Sequence, residues 1–181
     1  MNKEQVFFLA DAEGKIAEKE FDNFEKISIE VLRAALETRE LLDTPMYFTK
    51  GNNGTPYHPH GDAVSPDSTS HAKFSLHKWG INHVRSKNEN KKAYLDHSYG
   101  KALDWDAGGD MLSLDDLFDQ YLLLSKSKIW NGIGVYPHWN RRGFHTDLRS
   151  DSHPSYNAHW FRTLAGSYFP MTWKNWKEFV L

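Results

Sequence analysis

The chain has 181 residues, 22 Lys and Arg against 24 Asp and Glu for a formal net charge of −2, ten histidines and no cysteine. The length suits one domain, 1–181, able to bury a core without staples. The missing cysteine excludes a disulfide scaffold, a thiol nucleophile and a cysteine-ligated zinc site, and the near-neutral charge argues against a nucleic-acid binder.

The first apolar run, Val6-Phe7-Phe8-Leu9-Ala10, is shorter than the roughly 7–15 residues of a signal-peptide core. No stretch approaches the roughly 20 apolar residues of a membrane span. The expectation is a chain made in the cytoplasm, without a signal peptide or a membrane span.

Residues 11–44 read as a helix, with Phe24, Ile27, Val31, Leu32, Ala35 and Leu36 near helical spacing. Pro45 cannot continue it, and Met46-Tyr47-Phe48-Thr49 reads as a short strand. Residues 54–100 read as a long loop that carries five of the histidines between 58 and 83; a loop of that length is more often functional than idle. Lys101-Ala102-Leu103-Asp104-Trp105 reads as a strand.

The clearest helix follows. Ser113 caps it, Asp115 and Asp116 occupy its first turn, and Leu114, Leu117, Phe118, Tyr121 and Leu122 form one apolar face. Strands are expected at 132–137 and 143–148, and a short helix with Trp173, Trp176, Phe179 and Val180 on one face closes the chain. The order predicts an α+β fold, a small antiparallel sheet flanked by helices; any zinc site is expected in a groove on that sheet.

The chemistry concentrates in His97-Ser98-Tyr99-Gly100-Lys101-Ala102-Leu103-Asp104. A histidine before a strand and a carboxylate on it are two zinc ligands. Gly100 permits a tight turn, and Ala102 leaves room beside Asp104 on the same strand face. A catalytic zinc takes a third protein ligand, for which His145 of Phe144-His145-Thr146-Asp147-Leu148 is the donor in view.

These residues resemble the D-alanyl-D-alanine carboxypeptidase-like zinc peptidases, which cut stem peptides of bacterial peptidoglycan and include phage endolysins. The family motif Ser-x-His-x-x-Gly-x-Ala-x-Asp is matched by His97, Gly100, Ala102 and Asp104 in register. A second motif, Gly-x-Gly-x-Tyr-Pro, is matched by Gly132-Ile133-Gly134-Val135-Tyr136-Pro137. The strand that follows it in the family is matched by Phe144-His145-Thr146-Asp147-Leu148-Arg149 with one residue fewer between Phe and His, and a trailing aromatic by Trp160. The resemblance spans about 29–160. It implies one Zn2+ held by His97, Asp104 and His145, a peptidoglycan peptide as substrate, and action at the cell wall after release, as in a phage or prophage lysin.

The chain departs from the family in three further places. Leu95 stands where the motif has Ser, and His71 and His77 lie in partly similar settings, so each stays open as first ligand if residues 72–99 are an insertion. Thr49-Lys50-Gly51-Asn52-Asn53 replaces the family's Ser-Gly-Tyr-Arg, whose Arg meets a substrate carboxylate. That favours an endopeptidase over a carboxypeptidase, or Lys50 in the role of the Arg.

The third departure concerns the general base. Several relatives carry Glu or Asp three residues before the last ligand, where this chain has Arg142. Asp147 and His138 are the first candidates for the base and His159 the third. Asp147 has two further readings, as a residue orienting a ligand or as an ion-pair partner of Arg149 or Arg141. Trp105 and Trp139 are candidates for stacking on substrate, and His58, His60, His83 and His153 read as ordinary loop residues. The empty base position keeps a non-catalytic zinc-binding domain as the rival reading. Oligomeric state stays open.

Overall fold

A computed structural model describes residues 3–18, 24, 27–44, 46–48, 102–107, 112–139, 141–149 and 156–181. His58, His60, His71, His77, His83, His97 and His153, with Lys50 and the expected loop 54–100, lie outside the described residues.

Among the described residues, the α-helical part of the expected helix over 11–44 is its second half, and a separate helix that was not expected precedes it. Helix α1 spans Lys3–Asp11 and α2 spans Ile29–Leu42. Gly14, at φ +80°, follows α1. Ser28 then caps α2, accepting a hydrogen bond from the Val31 backbone N–H, and Asp43 ends it in the left-handed conformation. Buried Gln5 ties the pieces together by donating its amide to the carbonyls of Phe24 and Ile27. Polar groups buried this deeply need such partners.

Strand β1 is Met46–Phe48 and β2 is Ala102–Ala107. Helix α3 runs Leu114–Ser127 from its Ser113 cap, whose hydroxyl accepts from the Asp116 N–H at 3.0 Å. Strands β3 (Gly132–Tyr136) and β4 (Gly143–Asp147) form a hairpin; β5 (Ala158–Arg162), β6 (Tyr168–Pro170) and α4 (Trp173–Phe179) follow. No helix among the described residues is long and apolar enough to cross a membrane.

The six strands form one sheet in the order β1-β2-β4-β3-β5-β6, antiparallel except for the parallel pair β3–β5. The architecture is α+β, and the sheet is larger than expected: β5 and β6 were not legible as strands. The sequence Ala158-His159-Trp160-Phe161-Arg162 lacks polar–apolar alternation because aromatic side chains occupy both faces.

Alternation sorts side chains cleanly elsewhere. One face carries Leu103, Trp105, Ile133, Val135, Phe144 and Phe161, all fully buried beneath the helices. Trp105 tilts against Phe144 at 4.8 Å and donates its indole N–H to Thr146 at 2.9 Å. Trp130 donates likewise to Thr38 of α2 at 2.8 Å. Trp176 plugs α4 into the core against Phe118 and Phe161. Of the expected four-residue apolar face of α4, Trp176 is buried and Val180 packs partly buried against the core, whereas Trp173 and Phe179 lay one ring face on Phe118 and Phe169 and stay exposed on the other.

Candidate metal site

The face opposite the helices carries the chemistry. Register places Asp104, His145, Gly134 and Trp160 in one row across β2, β4, β3 and β5. The next row holds Ala102, Asp147, Gly132 and Ala158. On the other side lie Asp106, paired with Tyr47 of β1, and Tyr136, paired with Gly143. Small residues alternate with functional ones, so large side chains lie down over neighbouring strands.

The glycines of the second motif have specific tenants. A Cβ on Gly132 would come within 2.5 Å of Asp147 Oδ1 and 2.7 Å of Arg149 Nε; one on Gly134 would strike the Trp160 indole at 2.7 Å. Gly132 seats the Asp147–Arg149 pair, and Gly134 seats Trp160, whose ring lies 5.6 Å from that of His145. Gly143 admits no side chain either, since a Cβ there would lie 2.3 Å from the Trp105 carbonyl oxygen.

His145 stands between two carboxylates. Its Nδ1 is 2.9 Å from Asp104 Oδ1 and its Nε2 is 3.0 Å from Asp147 Oδ2. A neutral imidazole has one N–H and serves one acceptor. Asp147 is fully buried. Burial disfavours its charge, but the Arg149 guanidinium and the His145 ring hold its carboxyl well below the usual carboxylate range. Arg149 Nε donates to Oδ1 at 2.6 Å, Nη2 donates to Oδ2, and the Arg149 guanidinium lies 5.1 Å over the Trp160 ring.

With Nε2–H donated to Asp147, the Nδ1 lone pair faces the Asp104 carboxylate. Two acceptors at 2.9 Å need a proton or a cation between them. Without a metal the proton wins: burial lowers the His145 pKa, yet the hydrogen bonds and charges of Asp104 and Asp147 bring it up to about 9.

A metal in place of that proton would need the pair to part slightly. Two ligands with bonds of about 2.0–2.1 Å to one tetrahedral zinc stand roughly 3.3 Å apart, within a few tenths of the observed separation. The Asp104 side is the accessible one, with Asp104 18% and Asp147 0% exposed. Asp147 then plays the outer partner that sets the tautomer and orientation of a ligating histidine. Among the described residues no group of three His, Asp or Glu converges on one point, and the third ligand implied by resemblance, His97, lies outside them.

The other candidates fall in different places. Asp147 has both oxygens engaged by Arg149 and one by His145, a geometry of orientation rather than of water activation. The alternative pairing with Arg141 is not the one seen; Arg141 lies 3.4 Å from Asp106. His138 is exposed in the turn after β3, beyond the last β3–β4 pair. His159 points to the helix side of β5, where its Nδ1 meets the Tyr121 hydroxyl at 3.1 Å and burial lowers its pKa. Strand alternation puts it on the face opposite Trp160 and His145, so it has no access to the pair.

Trp105, expected as a stacking surface, is core instead, because its odd position on β2 turns it toward the helices. Trp139 is half-buried and stacked on Tyr136 at 4.1 Å. Arg142 donates to the carbonyls of Pro137 and Leu112 and so ties the β3–β4 loop to the segment before α3.

Two site residues carried no assigned role in the sequence. Tyr136 lies on the site face, where burial, the Asp104 charge and Tyr168 hold its phenol protonated. Asp106 is buried beside Arg141; desolvation pushes its pKa up to about 6 against the opposing pull of Arg141. Alternation from Asp104 was the available signal for Asp106.

No protein-family model, curated protein or solved structure matches this chain.

Proposed function

We propose that this chain is a zinc-dependent peptidase of the D-alanyl-D-alanine carboxypeptidase-like kind, hydrolysing a peptide bond in peptidoglycan stem peptides, with endopeptidase action favoured. The observation that carries the reading is the cross-strand pair Asp104–His145, nitrogen facing carboxylate oxygen at 2.9 Å, backed by Asp147 and Arg149. Asp104 and His145 hold the zinc with His97 as the third ligand, or His71 or His77 in its stead. When bound, zinc lowers the pKa of a water and polarises the scissile carbonyl. The chain's own residues do the rest: Asp147 holds His145 in the ligating tautomer, Arg149 keeps Asp147 charged, and Trp160 walls the row.

The absence of cysteine supports a hydrolytic rather than a closed structural site, since His and carboxylate donors with an open position are the usual catalytic set. The missing carboxylate-binding Arg near residue 50 supports an internal bond as the target. Action at the cell wall after release, as in a phage or prophage lysin, belongs to the same proposal.

A second reading has one observation behind it. Arg142 occupies the position where relatives carry the base, and it is committed to backbone carbonyls, which suits a domain that keeps zinc without catalysis. The deciding experiment incubates zinc-loaded protein with purified cell walls of several peptide chemotypes. New free amines from at least one wall are expected. A protein that binds one zinc and releases none from any wall refutes the peptidase reading and leaves the binding domain.

A further inference from the structure

The exposed apolar side chains gather at one edge of the molecule. Of the ten large hydrophobic side chains exposed among the described residues, six belong to residues 156–181. Four of them frame the edge made by β6, the last strand of the sheet, and by α4. Leu164, 80% exposed, stands on the turn between β5 and β6, which Thr163 and Ser167 close by hydrogen bonds. Tyr168 lies on β6 itself. Trp173 and Phe179 lie on α4. Trp173 packs one side against Phe118 at 5.0 Å and Phe179 against Phe169 at 4.2 Å, and both leave the other side to solvent.

Cations are interleaved with these rings. The Arg162 guanidinium lies 6.0 Å from the centre of the Tyr168 ring, and Lys177 Nζ lies 5.4 Å from that of Trp173. Lys174 is exposed next to Trp173. With Glu178 as the one acid among them, residues 156–181 carry a formal +2, so the other residues carry −4 and the whole chain −2.

The chemistry of this edge separates the candidate occupants. Exposed apolar patches rimmed by polar groups mark interaction surfaces. The core of a protein–protein interface is depleted of lysine, whereas here Lys174 and Lys177 stand among the aromatic rings. Strand addition by a second chain is opposed at Pro170 of β6, which has no N–H to donate. Trp and Tyr rings beside lysines that reach past them are the composition that settles at the boundary of a lipid bilayer. Leu164, on the tip of a turn, is placed to enter the acyl region, and each Lys or Arg adds attraction to an anionic surface.

We propose that the edge built by the β5–β6 turn, β6 and α4 is a docking surface for a bilayer rich in anionic phospholipid. Leu164, Tyr168, Trp173 and Phe179 enter its interface, and Arg162, Lys174 and Lys177 meet the headgroups. The acidic remainder of the chain is repelled by the same headgroups, which fixes the docked orientation. None of these residues belongs to the metal pair, so the surface and the peptidase reading stand or fall separately.

The test is sedimentation of the full chain with vesicles, one set of phosphatidylcholine alone and one of equal parts phosphatidylcholine and phosphatidylglycerol. Binding to the mixed vesicles is expected to be at least about tenfold tighter than to the neutral ones and to weaken as salt is raised. Lys174→Glu combined with Lys177→Glu is expected to lower the affinity at least about 100-fold. Leu164→Ser is expected to lower it about tenfold while its thermal midpoint stays within about two degrees of the parent, since the side chain is already exposed.

Equal binding to both vesicle types, or binding to neither, overturns the proposal. Full affinity in Leu164→Ser overturns it too, because no apolar insertion is then involved. Inorganic polyphosphate separates lipid from an acidic polymer: it is expected to bind at least about tenfold more weakly than the mixed vesicles, and binding as tight as theirs refutes a lipid site. Sedimentation velocity without lipid covers a second copy of the chain. A dimer that Leu164→Ser disperses would show the edge to be a self-association surface, and a midpoint lowered by several degrees in that variant would show it to be covered by the chain itself; either overturns the proposal.

Discussion

His145 holds the shortest route from structure to chemistry. Its ring sits between two carboxylates, so a metal that occupies the Asp104 side must displace a proton. With the pKa of His145 at about 9 against an ordinary 6.5, nearly every molecule carries that proton at pH 7. Zinc binding at pH 7 is therefore expected to release about one proton from this site. Calorimetric titration in buffers of different ionisation enthalpy measures the release, and a value near zero would show that His145 is not displaced. His145→Ala is expected to abolish binding at this site. Asp147→Asn leaves the ligand in place but loosens its tautomer and strips the buried Arg149 of its partner. Zinc affinity should fall about 10- to 100-fold and stability by roughly 3 kcal/mol, read by calorimetry and urea unfolding. An unchanged affinity would reduce Asp147 to a structural ion pair. That Asp147 lies near a histidine was legible from the spacing His145-Thr146-Asp147. That it is sealed beneath Arg149 was not, because burial depends on β3 and β5, which the local sequence does not name.

At the level of elements, the legible pieces are those whose signals are local. Helix α3 matches its reading from cap to last turn, since the Ser113 hydroxyl, the acidic first turn and the apolar stripe all lie within fifteen residues. Ser113→Ala should cost about 1 kcal/mol, checked by chemical unfolding. Strands β3 and β4 were equally legible, though not their pairing. Strand β5 was not, because it pairs in parallel with β3, from which β4 separates it in sequence but not in the sheet, and its side chains answer to the core on one face and to the site on the other. The two β3 glycines give the sharpest element-level test. Gly132→Ala places a methyl within 2.6 Å of both Asp147 oxygens, and Arg149 pins those oxygens. The variant is expected to lose about 1–3 kcal/mol and to bind zinc more weakly through the displaced Asp147. Normal zinc affinity in Gly132→Ala would show that the Asp147–Arg149 seat is dispensable.

For the molecule as a whole, the titrating groups set a direction for stability against pH. The folded pKa of His145 lies above its ordinary value, so its contribution is full below pH 6.5 and is lost as pH rises through about 9. Asp106 is raised to about 6 from 3.8, so its contribution is full below 3.8 and is lost as pH rises through 6. Asp147 is lowered, so its contribution is present above the ordinary carboxylate value and is lost only in strong acid. The metal-free protein is expected to be most stable in mild acid. It should weaken by about 3 kcal/mol between pH 6.5 and 9 from His145, at about 1.4 kcal/mol per pH unit. Saturating zinc removes that decline, since the metal replaces the proton. Thermal melts from pH 5 to 9.5 with and without zinc check this, and parallel curves would refute the linkage between metal and proton.

The sequence by itself limited any metal site to imidazole and carboxylate donors, because the chain has no cysteine. It also determined α3, strands β3 and β4 and the proximity of His145 to Asp147, all set by neighbours a few residues away. Tertiary structure alone decided that Asp104 faces His145 across 41 residues of chain, that His159 belongs to the core side, and that Asp106 stands buried without a hydrogen bond beside the pair. The physical reason is that strand periodicity assigns a side chain to a face, whereas its partners, burial and charge come from whichever strands the fold sets alongside it.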